Sequence, residues 1–154
     1  MGMPFGMIFA ILLIVVFVVV AFIAVDYFLD IGDASSVGLF YRELQGGVND
    51  ALSGQSSAVN FDIDLPSGIE KVCFANLSAT ITRPGADYDQ IRNYDVYRAN
   101  TFLVPPEKAE NMQWKLIEHI NLEKITAQGN PYCVEVSKGL RIEKDFYDKL
   151  VMIS

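Results

Sequence analysis

From Met7 to Val25 the chain reads MIFAILLIVVFVVVAFIAV, nineteen residues without a charged or strongly polar side chain. At the helical rise this run covers roughly 28 Å, the thickness of the hydrocarbon layer of a bilayer. Fifteen of its residues are Ile, Leu, Val or Phe. At about −0.3 to −0.6 kcal/mol each they favour insertion by roughly 5 to 9 kcal/mol. The β-branched stretch from Ile14 to Val20 also suits a buried strand, but strands in soluble proteins rarely exceed about ten residues. In lipid the backbone must close its own hydrogen bonds, and a helix does so within one segment. The run is expected to be a transmembrane helix.

Two other readings fit less well. A cleaved signal peptide calls for a basic start, a shorter run and small residues at alternate positions before the cut. Here MGMPFG precedes the run and Ala21-Phe22-Ile23-Ala24-Val25 closes it. A core helix of a soluble protein would have to be enclosed on every side, which a remainder of roughly 95 residues cannot do.

Without that run the chain is an ordinary acidic domain. Twelve Lys plus Arg stand against nineteen Asp plus Glu, a net charge of −7. Such a balance lacks the cationic surface that neutralises phosphates or anionic headgroups, and argues against a nucleic-acid partner. The expected layout is a short tail over residues 1–6, the transmembrane helix over 7–25, an amphipathic helical extension over 26–55 and a β-rich domain over 58–154. The fold class is α+β, a long N-terminal helix followed by a small antiparallel sheet or sandwich. No Lys or Arg precedes the span, and Asp26, Asp30 and Asp33 come before the first basic residue, Arg42. A side poor in Lys and Arg is the side more easily translocated, so the β-rich domain is expected outside.

Beyond the span, Val37, Phe40, Tyr41, Leu44, Val48 and Leu52 fall on one helical stripe, opposite Arg42, Glu43, Gln45, Asn49 and Asp50. That stripe needs a partner, either the β domain of the same chain or the helix of a second copy in a homo-oligomer. Ser35 or Ser36 suits a helix start, while Gly32, Gly38 and the Gly46-Gly47 pair are expected bends. Asp26, Asp30 and Asp33 share a face; the reading preferred over a cation site is a solvated cuff at the membrane boundary, with Tyr27 and Phe28 as interfacial aromatics.

From Ala58 the period changes to two. Val59, Phe61, Ile63 and Leu65 alternate with Asn60, Asp62 and Asp64, giving a half-buried strand with a wet acidic side. Pro66-Ser67-Gly68 supplies a turn, and Ile69 to Leu77 reads as the strand returning to make a hairpin, with Val72 and Phe74 inward. Arg83 to Asn100 reads as a turn and a loop or short helix, with Tyr88, Tyr94 and Tyr97 packed on the domain rather than standing out as a recognition surface. Thr101 to Val104 is a strand stopped by Pro105-Pro106. Trp114 to Ile125 is read as strand in its second half. Tyr132–Val136, Leu140–Glu143 and Leu150–Ile153 complete the set, with a turn at Ser137-Lys138-Gly139.

Cys73 and Cys133 are the only cysteines, each flanked by apolar residues inside an expected strand. Their number and spacing exclude a cysteine metal centre. In an oxidising compartment they are a disulfide candidate; in the cytosol they are buried thiols. Asn76-Leu77-Ser78 is a glycosylation triplet, meaningful if the domain is exported. His119 is the only histidine and is expected on the surface or half-buried in a strand. No phosphate loop, nucleophile elbow or dinucleotide fingerprint is present. No catalytic, metal-binding or cofactor-binding residue is assigned, and no cofactor is expected.

An uncharged apolar N-terminal helix, its amphipathic continuation and a small β domain together resemble the layout of type IV pilin-like proteins, particularly archaeal surface filament subunits. In that family a prepilin peptidase cuts after a short basic leader ending in glycine. Gly2 and Gly6 precede the run here, without Lys or Arg beside them and without an acidic residue early in the helix. The resemblance implies that Met7 to about Leu52 forms a filament core by helix packing while Ala58 to Ser154 decorates its surface. The function expected is a non-enzymatic, membrane-anchored surface protein of structural or interaction type. The competing classes are an accessory single-pass subunit of a larger membrane complex and an anchored enzyme, the last predicting a concave polar pocket.

Overall fold

The computed structural model describes residues 5–54 and 57–154, and only the backbone of Phe5, Asp30 and Ser57. Residues 1–4, with Gly2, and residue 55 at the end of the expected extension lie outside the described residues. The chain divides into two compact units, Met1–Gly32 and Asp33–Ser154.

Helix α1 spans Phe5–Ser53, so Phe5 and Gly6 of the expected tail are helical. Its apolar window is long and apolar enough to cross a membrane by length and composition. Within the first unit every described residue from Gly6 to Leu29 is exposed. Gly32, Gly38 and the Gly46-Gly47 pair, expected as bends, lie inside α1 without a break in it.

In the second unit the last turns of α1 bury Val37, Phe40, Tyr41, Leu44 and Val48, with Ala51, and Leu52 is half-buried. Residues three and four apart share a helix face, so this stripe meets the β strands as one surface. Each large side chain so buried contributes about 1.5–3 kcal/mol. The helix ends with Gly54 N–H donating to the Asp50 carbonyl at 3.2 Å. Lys144 Nζ donates to the Gly54 carbonyl at 3.0 Å, placing a cation where the helix dipole is negative.

Among the described residues the strands form two antiparallel sheets. The first has the order β1-β6-β7, with β1 at Ser57–Phe61, β6 at Leu140–Lys144 and β7 at Met152–Ile153. The second has the order β4-β3-β2-β5, with β2 at Lys71–Phe74, β3 at Thr101–Val104, β4 at Trp114–Lys115 and β5 at Tyr132–Glu135. Leu140, Ile142 and Ile153 of the first sheet share one core with Val72, Phe74 and Leu103 of the second and with the stripe of α1. Cys73, Ala75, Phe102 and Val104 form a smaller cluster with Ile91 of helix α2, Ala86–Ile91. The second sheet is therefore covered on both faces, which is why all four residues of β3 are buried. Two glycines serve close approach. A Cβ on Gly47 would sit 2.9 Å from Ile142 Cδ1, and Gly139 holds φ +68° with the Phe61 carbonyl 3.0 Å from its Cβ position.

Three expectations are corrected. The hairpin between residues 58–65 and 69–77 does not form. β1 pairs with β6, and β2 pairs with β3 and β5. The Pro66-Ser67-Gly68 turn is present, with Ile69 N–H donating to the Pro66 carbonyl at 3.3 Å and Gly68 at φ +103°, but it carries the chain from one sheet to the other. Val59, expected inward, is 58% exposed, because the part of α1 beside it offers only Gly47, Asp50 and Ala51, whose short side chains leave a hollow of about 170 Å³ there. Between Trp114 and Ile125 the order is reversed: the strand comes first, as β4, and helix α3 follows at Leu122–Thr126. The Asn121 side chain accepts from Lys124 N–H at 3.0 Å and starts that helix. His119 lies on the surface, the first of its two expected placements, in the intervening turn at φ +67°.

Buried asparagines replace missing strand pairing. Asn100 Nδ2 donates to the Ile117 carbonyl at 2.8 Å while its Oδ1 accepts from Ile117 N–H at 2.9 Å, the pattern a neighbouring backbone would offer. Asn130 Nδ2 donates to the Asn76 and Thr80 carbonyls, and its Oδ1 accepts from Asn76 N–H. Both side chains are satisfied where burial would otherwise cost about 1–3 kcal/mol per unpaired group.

Candidate functional site

Three features of the chain bear on function, and each is best described within its own unit. The first is the apolar part of α1. Met7 to Val25 presents Phe, Ile, Leu and Val around its whole circumference, and none is covered. The acidic cuff follows it: Asp26 and Asp33 are exposed, the Asp30 side chain lies outside the described residues, and Tyr27, Phe28 and Leu29 are 66%, 72% and 63% exposed.

The second feature is the pair Cys73 and Cys133. They are register partners across β2 and β5 and form a disulfide, closing a sequence separation of 60 residues. Cys73 is fully buried and Cys133 half-buried. Asn76 lies just past β2, exposed in a turn, with its Oδ1 accepting from Ser78 N–H at 3.2 Å. The acceptor side chain thus bonds to the last residue of its own triplet on an open surface.

The third feature was not foreseen from the sequence. A groove of about 710 Å³ runs between α1 and the β4 segment, lined among others by Tyr41, Arg42, Gln45, Met112, Trp114 and Lys115. Its walls are held from both sides. Tyr41 Oη donates to the Met112 carbonyl at 3.1 Å. Gln45, expected on the solvent face, accepts from Glu118 N–H at 2.8 Å and donates to the Glu118 carbonyl at 3.3 Å. Trp114 is stacked on Tyr97 with ring centroids 4.5 Å apart, and Tyr97 in turn packs near Tyr94, which meets Phe102. Tyr94 and Tyr97 are thus tied to the domain, as expected, although Tyr97 keeps 47% of its surface exposed. No sequence signal marks this groove, since its two walls come from residues about seventy positions apart. Among the described residues, no group of three or more His, Cys, Asp or Glu side chains is placed to hold a metal.

Burial drives the phenol of Tyr41 far above its ordinary pKa. The sign follows from linkage: the folded chain keeps this phenol neutral while the unfolded chain ionises it near pH ~10. Its stabilising contribution is therefore complete below pH ~10 and falls by about 1.4 kcal/mol per pH unit above it. Tyr41→Phe is expected to lose about 1 kcal/mol at pH 8, the value of the hydrogen bond to Met112, and to decline less steeply than the parent between pH 10 and 11.5. Urea titrations at those pH values, read as midpoint and slope, check both parts.

Compared with protein-family models, curated proteins and solved structures, the chain matches none.

Proposed function

We propose that the chain is a non-enzymatic, membrane-anchored cell-surface protein whose Met7–Val25 segment lies in the bilayer and whose Asp33–Ser154 unit stands on the extracytoplasmic side. The single observation that carries this reading is the nineteen-residue uncharged run, apolar and exposed around its full circumference. Water is an unfavourable solvent for such a surface, and a contiguous apolar area of that size calls for lipid or partner helices. The Cys73–Cys133 disulfide supports the outward orientation, because bridges of this kind persist in oxidising compartments. On that side Asn76 is an open glycosylation acceptor.

The specific form we propose is a pilin-like filament subunit, on the layout of the sequence alone. The stripe Val37, Phe40, Tyr41, Leu44 and Val48 is covered by the chain's own β strands. It is therefore not free for a neighbouring helix, and packing between copies falls to the exposed segment before it.

Protease applied to intact cells, followed by electron microscopy of the extracted material, tests both levels. The expected result is release of the β-rich unit from the outside and long filaments in the extract. A unit protected until the cells are opened contradicts the orientation. Stoichiometric co-purification with multispan proteins and no filaments favours the accessory-subunit reading.

A further inference from the structure

The two halves of the Cys73–Cys133 bridge have unlike surroundings. Cys73, on the inner strand β2, is fully buried in the cluster with Ile91, Phe102 and Val104. Cys133, on the edge strand β5, is half-buried and lines a cavity of about 300 Å³ together with Lys71, Arg83, Ala86, Asp87 and Pro131. A thiolate that opens a disulfide must reach one of its two sulfurs, so access selects the one attacked. Of the pair, Cys133 alone borders this cavity.

The cavity also carries a charge suited to such a nucleophile. Lys71 Nζ is held by the Asp87 carboxylate at 2.9 Å, and Glu135, two positions beyond Cys133, holds Lys138 at 3.2 Å. Among the described residues Arg83 enters no ion pair, which leaves its guanidinium as the uncompensated charge. Its side chain lies against Gly129, where an added Cβ would collide with Arg83 Nε and Cδ. A cation so placed raises the local concentration of an anionic nucleophile.

We propose that the bridge is a redox-sensitive staple, opened in the folded unit by small thiols that enter this cavity and attack Cys133 Sγ. In the first step the thiolate forms a new S–S bond to Cys133 Sγ and the Cys73–Cys133 bond breaks. The electron pair leaves on Cys73 Sγ, which takes a proton from water. In the second step another thiolate attacks the sulfur of the bound thiol, releasing Cys133 as a thiolate together with the disulfide of the reagent. Two thiols are oxidised and the bridge gains two electrons. The Cys73 thiolate forms in apolar surroundings, which makes it a poor leaving group. Opening is therefore slower than at an exposed disulfide, but it does not wait for the unit to unfold. The inference concerns the Asp33–Ser154 unit alone and does not rest on the membrane reading.

Full-length chain in detergent, mixed with mercaptoethanol at increasing concentration, acid-quenched and mapped by mass spectrometry, tests the proposal. Bridge loss is expected to accelerate in proportion to thiol concentration, with the first mixed disulfides on Cys133 roughly tenfold or more over Cys73. A rate that levels off at high thiol, the mark of opening by unfolding, overturns the proposal, as do adducts chiefly on Cys73. Two variants probe the cavity, and both replace exposed side chains, so their oxidised forms are expected to melt at the parent temperature. R83E is expected to slow bridge loss by roughly threefold or more at low ionic strength and to approach the parent in high salt. A86W, which fills the cavity, is expected to slow it by roughly tenfold or more under native conditions, while in denaturant it and the parent lose the bridge equally fast. Parent rates for R83E at low ionic strength overturn the role of Arg83, and native parent rates for A86W overturn the cavity as the route.

Discussion

Three lysines placed at Val15, Phe17 and Val19 are expected to release the full-length chain from the membrane. The parent segment favours insertion by roughly 5 to 9 kcal/mol, summed over fifteen strongly apolar residues. Three lysines near the centre of the span cost roughly 8 to 10 kcal/mol, and three favourable residues are lost as well. The sum leaves no net drive into lipid. After an alkaline wash the variant is expected in the supernatant, while a control carrying three leucines at the same positions stays in the pellet. Equal retention of the two would show that something other than the apolar run holds the chain. The β-rich unit is expected to fold in both, because no described residue from Gly6 to Leu29 is buried in it.

The second large effect concerns the disulfide. Bridging residues separated by 60 positions restricts the unfolded chain and stabilises the folded unit by about 4 kcal/mol on the chain-entropy model. Replacing both cysteines by alanine, which leaves no polar atom in the position of buried Cys73, is expected to lower the melting temperature of the Asp33–Ser154 unit by roughly 15 °C. Calorimetry of the detergent-solubilised full-length chain reads this directly. Wild-type protein treated with a reductant is expected to melt at the temperature of the double variant. A shift below about 3 °C would mean that the bridge adds nothing the sheet does not already supply.

What could be read from the sequence follows the range of the interactions involved. The apolar run is uniform and the stripe from Val37 to Val48 periodic, each within one segment, and both form the helix expected of them. The strand at Thr101–Val104 and its proline stop are local in the same sense. Strand partnership is not local. Val59 and Phe61 lie in the strand their alternation predicts, yet their neighbours on the ladder are Ile142 and Leu140, about eighty residues away, and a turn at Pro66 to Gly68 cannot reveal that. Helix α3 was legible in principle, since Asn121 followed by Leu122-Glu123-Lys124 is a helix start, but the apolar residues around it also fit a strand. The buried asparagines carry no signal at all: Asn130 answers backbone groups 50 and 54 positions away. The groove belongs to the same class. Its cations are ordinary surface residues in the sequence, and only folding brings Arg42 and Lys115 into one lining with Met112 and Trp114.

The proposed anchoring, and with it the outward placement of the Asp33–Ser154 unit, depends on Met7–Val25 lying in lipid. Single cysteines placed one at a time from Met7 to Asp33, in membranes holding the otherwise native chain, can be titrated with a membrane-impermeant maleimide; the native pair is bridged and does not react. An unreactive block from Met7 to Val25 is predicted, with reactivity returning at Asp26 and beyond from the outer side only. Uniform labelling through the block, or an i, i+3, i+4 alternation of reactive and protected positions within it, would contradict a helix surrounded by lipid.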